Sequence, residues 1–222
     1  MNDGDAQDPT DGPNGAREDD AEALELSLEP DLELSPDPRD APAPPAVAEL
    51  AAACVRFVAT KYKVPLDCAP ETLSLLDQYV RDARADIAVQ PEAIDLLQAS
   101  MGAYFGEVLR RAFGATWFCE GDYGGWRLDF SFVYLSLNPI GMMREALALE
   151  AQDGWHAHLE TDPGETAFLA ARLATLGSID EEEYYAPTTR FDVVEIAVDT
   201  LRAKMDSEGN GSVTFGPEDY TR

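Results

Sequence analysis

The sequence predicts an α+β protein, mainly helical, with one small antiparallel β-sheet built on a hairpin at about residues 115–137. Apolar residues recur at helical spacing on both sides of that block. Inside it they alternate with polar ones, and a Gly-rich turn divides the block in two.

Val47, Leu50, Ala51, Cys54, Val58 and Tyr62 form one apolar stripe, which Pro65 ends. Pro70 suits the first turn of a second helix carrying Leu73, Leu76, Val80, Ala83 and Ile87. A third runs from Pro91 to Gly114 on Ile94, Leu97, Met101, Tyr104, Phe105, Val108 and Ala112. The period then switches to two. Thr116, Phe118 and Glu120 alternate with Trp117 and Cys119; after Gly121–Gly125, Trp126, Leu128, Phe130 and Phe132 alternate with Arg127, Asp129 and Ser131. Val133–Leu137 either extends the second strand or bends it at a bulge.

Asn138-Pro139 reads as a turn and helix start, followed by Ile140, Met143 and Leu147 at helical spacing. Asp162-Pro163-Gly164-Glu165 has the order of a capped helix start, with Phe168, Leu169, Leu173 and Leu176 on one face and Gly177 ending it. Asp180–Glu183 reads as an acidic loop. A final helix spans about Thr189 to Met205 on Val194, Ala197, Val198 and Leu201.

The 222 residues hold 43 Asp and Glu against 16 Lys and Arg, a net charge of −27. Residues 1–50 carry 15 of the acidic and 2 of the basic side chains, and no aromatic residue. Such a segment cannot bury enough apolar area to offset its ordering entropy, so 1–44 is expected to be a disordered acidic tail before a single α+β domain at 45–222. Within the tail, Leu24, Leu26, Leu28, Leu32 and Leu34 alternate with acidic residues, which reads as either a solvated tail or a short docking motif.

The acidity argues against nucleic-acid and anionic-lipid partners, whose phosphates it repels. No apolar run reaches membrane-spanning length, and the N-terminus lacks a signal-peptide pattern. Cys54, Cys68 and Cys119 are odd in number and unpatterned, as for reduced thiols. A cytoplasmic protein is expected.

Gly102 and Gly106 are costly inside a helix, and at i, i+4 they share one face. They suit either a close backbone approach or a pocket whose mouth holds Tyr104 and Glu107. Gly102, Tyr104, Gly106 and Glu107, with Trp117 on the next strand and Asn138-Pro139 beyond, look like certain small bacterial domains of unknown function. That resemblance implies a bacterial source and a fold type, and no activity. The candidate binding residues are Tyr104, Glu107, Trp117 and Trp126.

Asp206, Glu208, Asn210 and Ser212 resemble positions 1, 3, 5 and 7 of an EF-hand calcium loop, with Gly211 at position 6 and Val213 at 8. They are the candidate metal ligands, and calcium the candidate cofactor. Position 12, however, is Pro217 where a bidentate Glu closes the cage. The competing reading is a helix end and a Gly-Asn-Gly turn into a strand at Ser212–Phe215. His156 and His158 would share one side of an extended segment, with Asp153, Glu160 or Cys119 as further zinc ligands, or else serve packing.

Nucleophile elbows, phosphate loops and dinucleotide fingerprints are missing. Cys119 lies among aromatics, which raises a thiol pKa. The reading is a non-enzymatic bacterial binding or regulatory module whose acidic surface attracts a basic protein, as an adaptor or a toxin-neutralising protein would. The alternative is a small enzyme or metal-dependent module with a cleft between the third helix and the hairpin. Salt adaptation is a third account of the acidity.

Overall fold

The computed structural model describes residues 37–177 and 179–220. The acidic segment up to residue 36, with its alternating leucines, lies outside the described residues. Residues 37–44, expected to be disordered, instead pack on the body: Arg110 Nη1 donates to the carbonyls of Pro38 (2.5 Å) and Arg39 (3.2 Å). Arg39 also stacks 4.9 Å from the Phe132 ring centroid.

The described chain is α+β and mainly helical. Helix α1 is Pro45–Tyr62, α2 is Leu73–Val89 and α3 is Ile94–Phe113. Strands β1 (Ala115–Phe118), β2 (Arg127–Phe130) and β3 (Leu135–Leu137) follow, then α4 (Pro139–Ala148) and β4 (Glu160–Thr161). Helices α5 (Thr166–Leu173), α6 (Glu181–Tyr184) and α7 (Pro187–Ser207) complete it. The sheet runs β1-β2-β3-β4, antiparallel throughout.

Pro70 and Pro91 each open a single 3-10 turn, so α2 and α3 begin three residues later than expected. Lacking an N–H, proline fits the first turn, where the backbone donors have no helical acceptor. Asn138 caps α4, its Oδ1 accepting from Ile140 N–H (2.9 Å) and Gly141 N–H (3.0 Å), with Pro139 first in the helix.

The register puts Ala115, Trp117, Leu128, Phe130, Leu135 and Leu137 on the face that packs on the helices. Thr116, Asp129, Ser136 and Glu160 form one cross-strand row on the other face. The core centres on α3, where Met101, Tyr104, Phe105, Val108 and Leu109 are fully buried.

Four segments differ from expectation. Leu135–Leu137 is a separate strand pairing with β2, because residues 131–134 bend the chain back. The hydroxyl of Tyr220 sits in that bend; it donates to Phe130 O at 2.6 Å and accepts from Leu135 N–H at 3.2 Å. Asp162 caps a turn instead of a helix, its Oδ1 accepting from Gly164 N–H (2.7 Å), so α5 starts at Thr166. The Asp180–Glu183 segment forms a helical turn, capped by Asp180 accepting from Glu182 N–H. Residues 212–215 form no strand; Phe215 N–H makes one bond to Ser131 O at 2.8 Å.

Asp77 on α2 caps α7 from outside. Its Oδ1 accepts from Thr188 N–H (3.0 Å) and its Oδ2 from the Thr188 hydroxyl (2.6 Å). Burial raises this carboxyl above its usual value, and the two Thr188 bonds pull it partly back. In the window between the usual and the raised value the folded state binds more protons than the unfolded chain, so Asp77's contribution falls as pH rises. Asp77→Asn keeps an acceptor for Thr188 N–H and removes that slope. Urea unfolding at pH 4, 5.5 and 7 should show the variant gaining on the native protein as pH rises; a constant difference would refute this assignment.

Candidate functional site

Of the four residues expected at a binding site, α3 carries Tyr104 and Glu107, β1 carries Trp117, and Trp126 precedes β2; all four lie inside the protein. Tyr104 is 0 % exposed, Glu107 3 %, Trp117 7 % and Trp126 7 %. The Tyr104 hydroxyl accepts from Cys68 N–H (3.1 Å) and shares a bond with the Thr72 hydroxyl (2.9 Å), tying α3 to the turn before α2. Burial pushes its pKa up to about 12.

Glu107 points elsewhere. Its Oε1 accepts from Arg110 Nε (2.9 Å) and Trp117 Nε1 (2.9 Å), and its Oε2 from Arg110 Nη2 (3.0 Å). Glu107 reaches the floor of a groove beside α1, but these donors engage both oxygens. Between α3 and the hairpin, Gly106 packs directly on the Trp117 ring and Pro139. Gly102 packs on the backbone of Ile140. The two glycines serve close approach. The structure therefore brings Glu107 and Trp117 together, while Tyr104 faces a different neighbour. Trp126 meets Trp117 edge-on at 6.5 Å and Tyr123 at 5.1 Å.

At the calcium-like segment, Asp206 lies 4.0 Å from Arg202 and Glu208 3.7 Å from Lys204, while Asn210 N–H bonds back to Met205 O. Asp206, Glu208, Asn210 and Ser212 thus sit on a helix end and its turn. Among the described residues, no group of three or more His, Cys, Asp or Glu side chains gathers as metal ligands would. The two histidines part company, because His156 adopts φ 48° and breaks the extended alternation. His156 Nδ1 bonds Glu160 Oε1 at 2.8 Å, whereas His158 lines a separate cavity. Cys119 is pushed up to about 11 by burial, as its aromatic setting implies.

The arrangement that sequence reasoning missed surrounds the N-terminus of α4. Asn138 Nδ2 donates to Tyr123 O (2.8 Å) and Gly124 O (3.2 Å), fixing the hairpin loop. Asn138 N–H donates to His156 O at 3.0 Å, and Gly141 lets the Trp155 backbone lie against α4. Arg144 stacks 4.7 Å from the Trp155 ring centroid and donates to Gln98 Oε1 at 2.8 Å. Three segments distant in sequence thus converge. They line a depression of about 530 Å3 with Asp95, Gln98, Asp122, Tyr123, Trp155 and His156. Asp95 is 78 % exposed at its side chain and lies 3.8 Å from Arg144. Asp122 makes no ion pair among the described residues; its Oδ1 accepts from Gly124 N–H at 3.1 Å.

Two exposed carboxylates beside a Tyr and a Trp can receive an ammonium or guanidinium group through charge and ring contact. The Asn-Pro start of α4 was legible, but the loops it gathers are fixed by tertiary contacts. Fold and site define a mainly helical α+β protein with an acidic, aromatic-lined depression. No protein-family model matches the chain, and neither a curated protein nor a solved structure is significantly similar to it. Among the described residues, no helix is long and apolar enough to cross a membrane.

Proposed function

We propose that this chain is a non-enzymatic binding or regulatory module that captures a basic protein segment. The observation carrying this reading is the depression walled by Asp95, Asp122, Tyr123 and Trp155. A Lys or Arg side chain placed there meets negative charge and aromatic surface together, while the −27 net charge steers the partner toward the protein. The resemblance of the Gly102–Glu107 helix to bacterial domains of unknown function supports a bacterial source for this module, and its odd, unpatterned cysteines support a cytoplasmic setting.

Fluorescence anisotropy with a labelled hexalysine peptide tests it. Affinity should fall between low and physiological salt. The double variant Asp95→Asn with Asp122→Asn should weaken binding about fivefold, as expected for two exposed ion pairs. Asn at 122 retains the turn acceptor, so the loop stays in place. Unchanged affinity in the double variant would move the docking surface away from this depression and refute the reading.

A further inference from the structure

On the far side of α4, a second cavity of about 230 Å3 lies among α4, α5 and α7. Met142, Leu169, Leu173 and Val194 give it apolar walls, Thr166 lies at its α5 side, and Arg190 enters from α7. Arg190 is only 6 % exposed. Its Nη2 donates to Glu145 Oε2 at 2.8 Å, and Glu145 is itself 1 % exposed. The guanidinium stacks 4.5 Å from the Tyr184 ring centroid and 5.2 Å from that of Tyr185. Its Nε–H, buried, has no acceptor among the described residues.

A buried donor without a partner is rare because it has surrendered water and received nothing in return. Here the residue that bears it lines a space large enough to hold a molecule. We propose that this cavity binds a small, neutral, largely apolar compound carrying one carbonyl oxygen, which accepts the Arg190 Nε–H bond.

Each attribute follows from a feature of the cavity. The walls are mostly hydrocarbon, so the ligand body is apolar. The volume falls below the range of about 300–1,000 Å3 typical of drug-sized ligands, which restricts the body to one ring or a short branched chain. Among the buried polar atoms of the lining, Arg190 Nε is the one left unfilled, while His158 lies at the exposed rim, so the site asks for a single acceptor. Glu145 already balances the Arg190 charge, so a carboxylate accepting from Nε would set a second anion beside the buried Glu145 carboxylate. A ketone, aldehyde, ester or amide oxygen accepts the bond without that cost.

The test uses the full chain with methyl-labelled Met, Leu and Val, titrated with acetophenone, toluene and benzoate and followed by NMR. Acetophenone should shift the methyls of Met142, Leu169, Leu173 and Val194 and bind about tenfold more tightly than toluene, the worth of one charge-assisted bond. Benzoate should bind more weakly than acetophenone. Arg190→Lys retains a cation for Glu145 and removes the Nε donor, so the margin of acetophenone over toluene should vanish. Ala170→Phe fills the cavity from an exposed position on α5 and should abolish the shifts while leaving the melting temperature near that of the native protein. Should Arg190→Lys not fold, Ala170→Phe and the acetophenone–toluene ratio decide alone. Equal affinity for toluene and acetophenone, tightest binding by benzoate, shifts that survive Ala170→Phe, or no shift with any probe would each overturn the proposal. No shift with any probe would mean that water alone answers the Arg190 donor.

Discussion

Glu107→Ala is expected to destabilise the fold by about 3–5 kcal/mol, the usual cost of removing one partner from a buried ion pair. Two losses combine. Arg110, 4 % exposed, would keep its charge but lose both bonds of its carboxylate fork. Trp117 Nε1–H would lose its acceptor in the same interior. The strap at residues 37–44 would loosen as well, since the Arg110 guanidinium that Glu107 orients also holds the Pro38 and Arg39 carbonyls. Replacing Glu107 and Arg110 together by Met should cost less than Glu107→Ala alone, because no orphaned charge remains. Urea unfolding of the two variants gives that comparison. Were Glu107 a binding residue at an open cleft, the single change would leave the unfolding midpoint nearly unmoved and weaken ligand capture instead.

Glu107 also shows how far the sequence could be read. Helical periodicity placed it beside Tyr104 on α3, and the switch to period two placed Trp117 on a strand about ten residues on. Both placements hold in the structure. Neither pattern encodes which way a polar side chain on a core helix is satisfied. Arg110 fell off the apolar stripe; its fork to Glu107 is a local i, i+3 pair, but its burial also depended on two loop carbonyls that only tertiary packing supplies. The same limit applies to the depression around α4. Asn138-Pro139 is a local signal, and it correctly marked the helix start. The second half of the Asn138 side chain binds a loop fourteen and fifteen residues upstream, and its backbone N–H binds His156 O. Alternation left open whether the strand runs on or bends after Phe132: residues 131–134 bend away while the apolar pattern continues, and Tyr220, about ninety residues downstream, satisfies the carbonyls left behind. Periodicity reports which face is apolar; it does not report where a strand turns.

Gly102→Ala is expected to cost about 2 kcal/mol, although alanine favours the α3 helix itself by about 1 kcal/mol. The opposing term is overpacking, typically about 1–3 kcal/mol, and here the obstacle is backbone. A Cβ at 102 would overlap Ile140 Cα and stand 2.8 Å from Ile140 N and Cγ1, with no flexible side-chain tip to yield. Helix α4 must retreat, and its N-terminus is bonded through Asn138 to the hairpin loop and to the 152–158 segment. The displacement therefore reaches Asp122, Tyr123 and Trp155, and hexalysine binding should weaken along with stability. Gly106→Ala meets a different obstacle, the Trp117 ring, with Pro139 Cγ at 3.0 Å. The ring is held by its bond to Glu107, so this variant is also destabilised. Second-site substitution separates the two. Trp117→Phe removes the ring atoms that a Cβ at 106 would strike, so Gly106→Ala should cost less in that background than in the native one. Ile140→Ala removes Cγ1 but leaves the Cα and N that a Cβ at 102 would strike, so Gly102→Ala should cost the same with either residue at 140. Relief of Gly102→Ala by Ile140→Ala would show that the contact is borne by the side chain, and that α4 need not move to accommodate it.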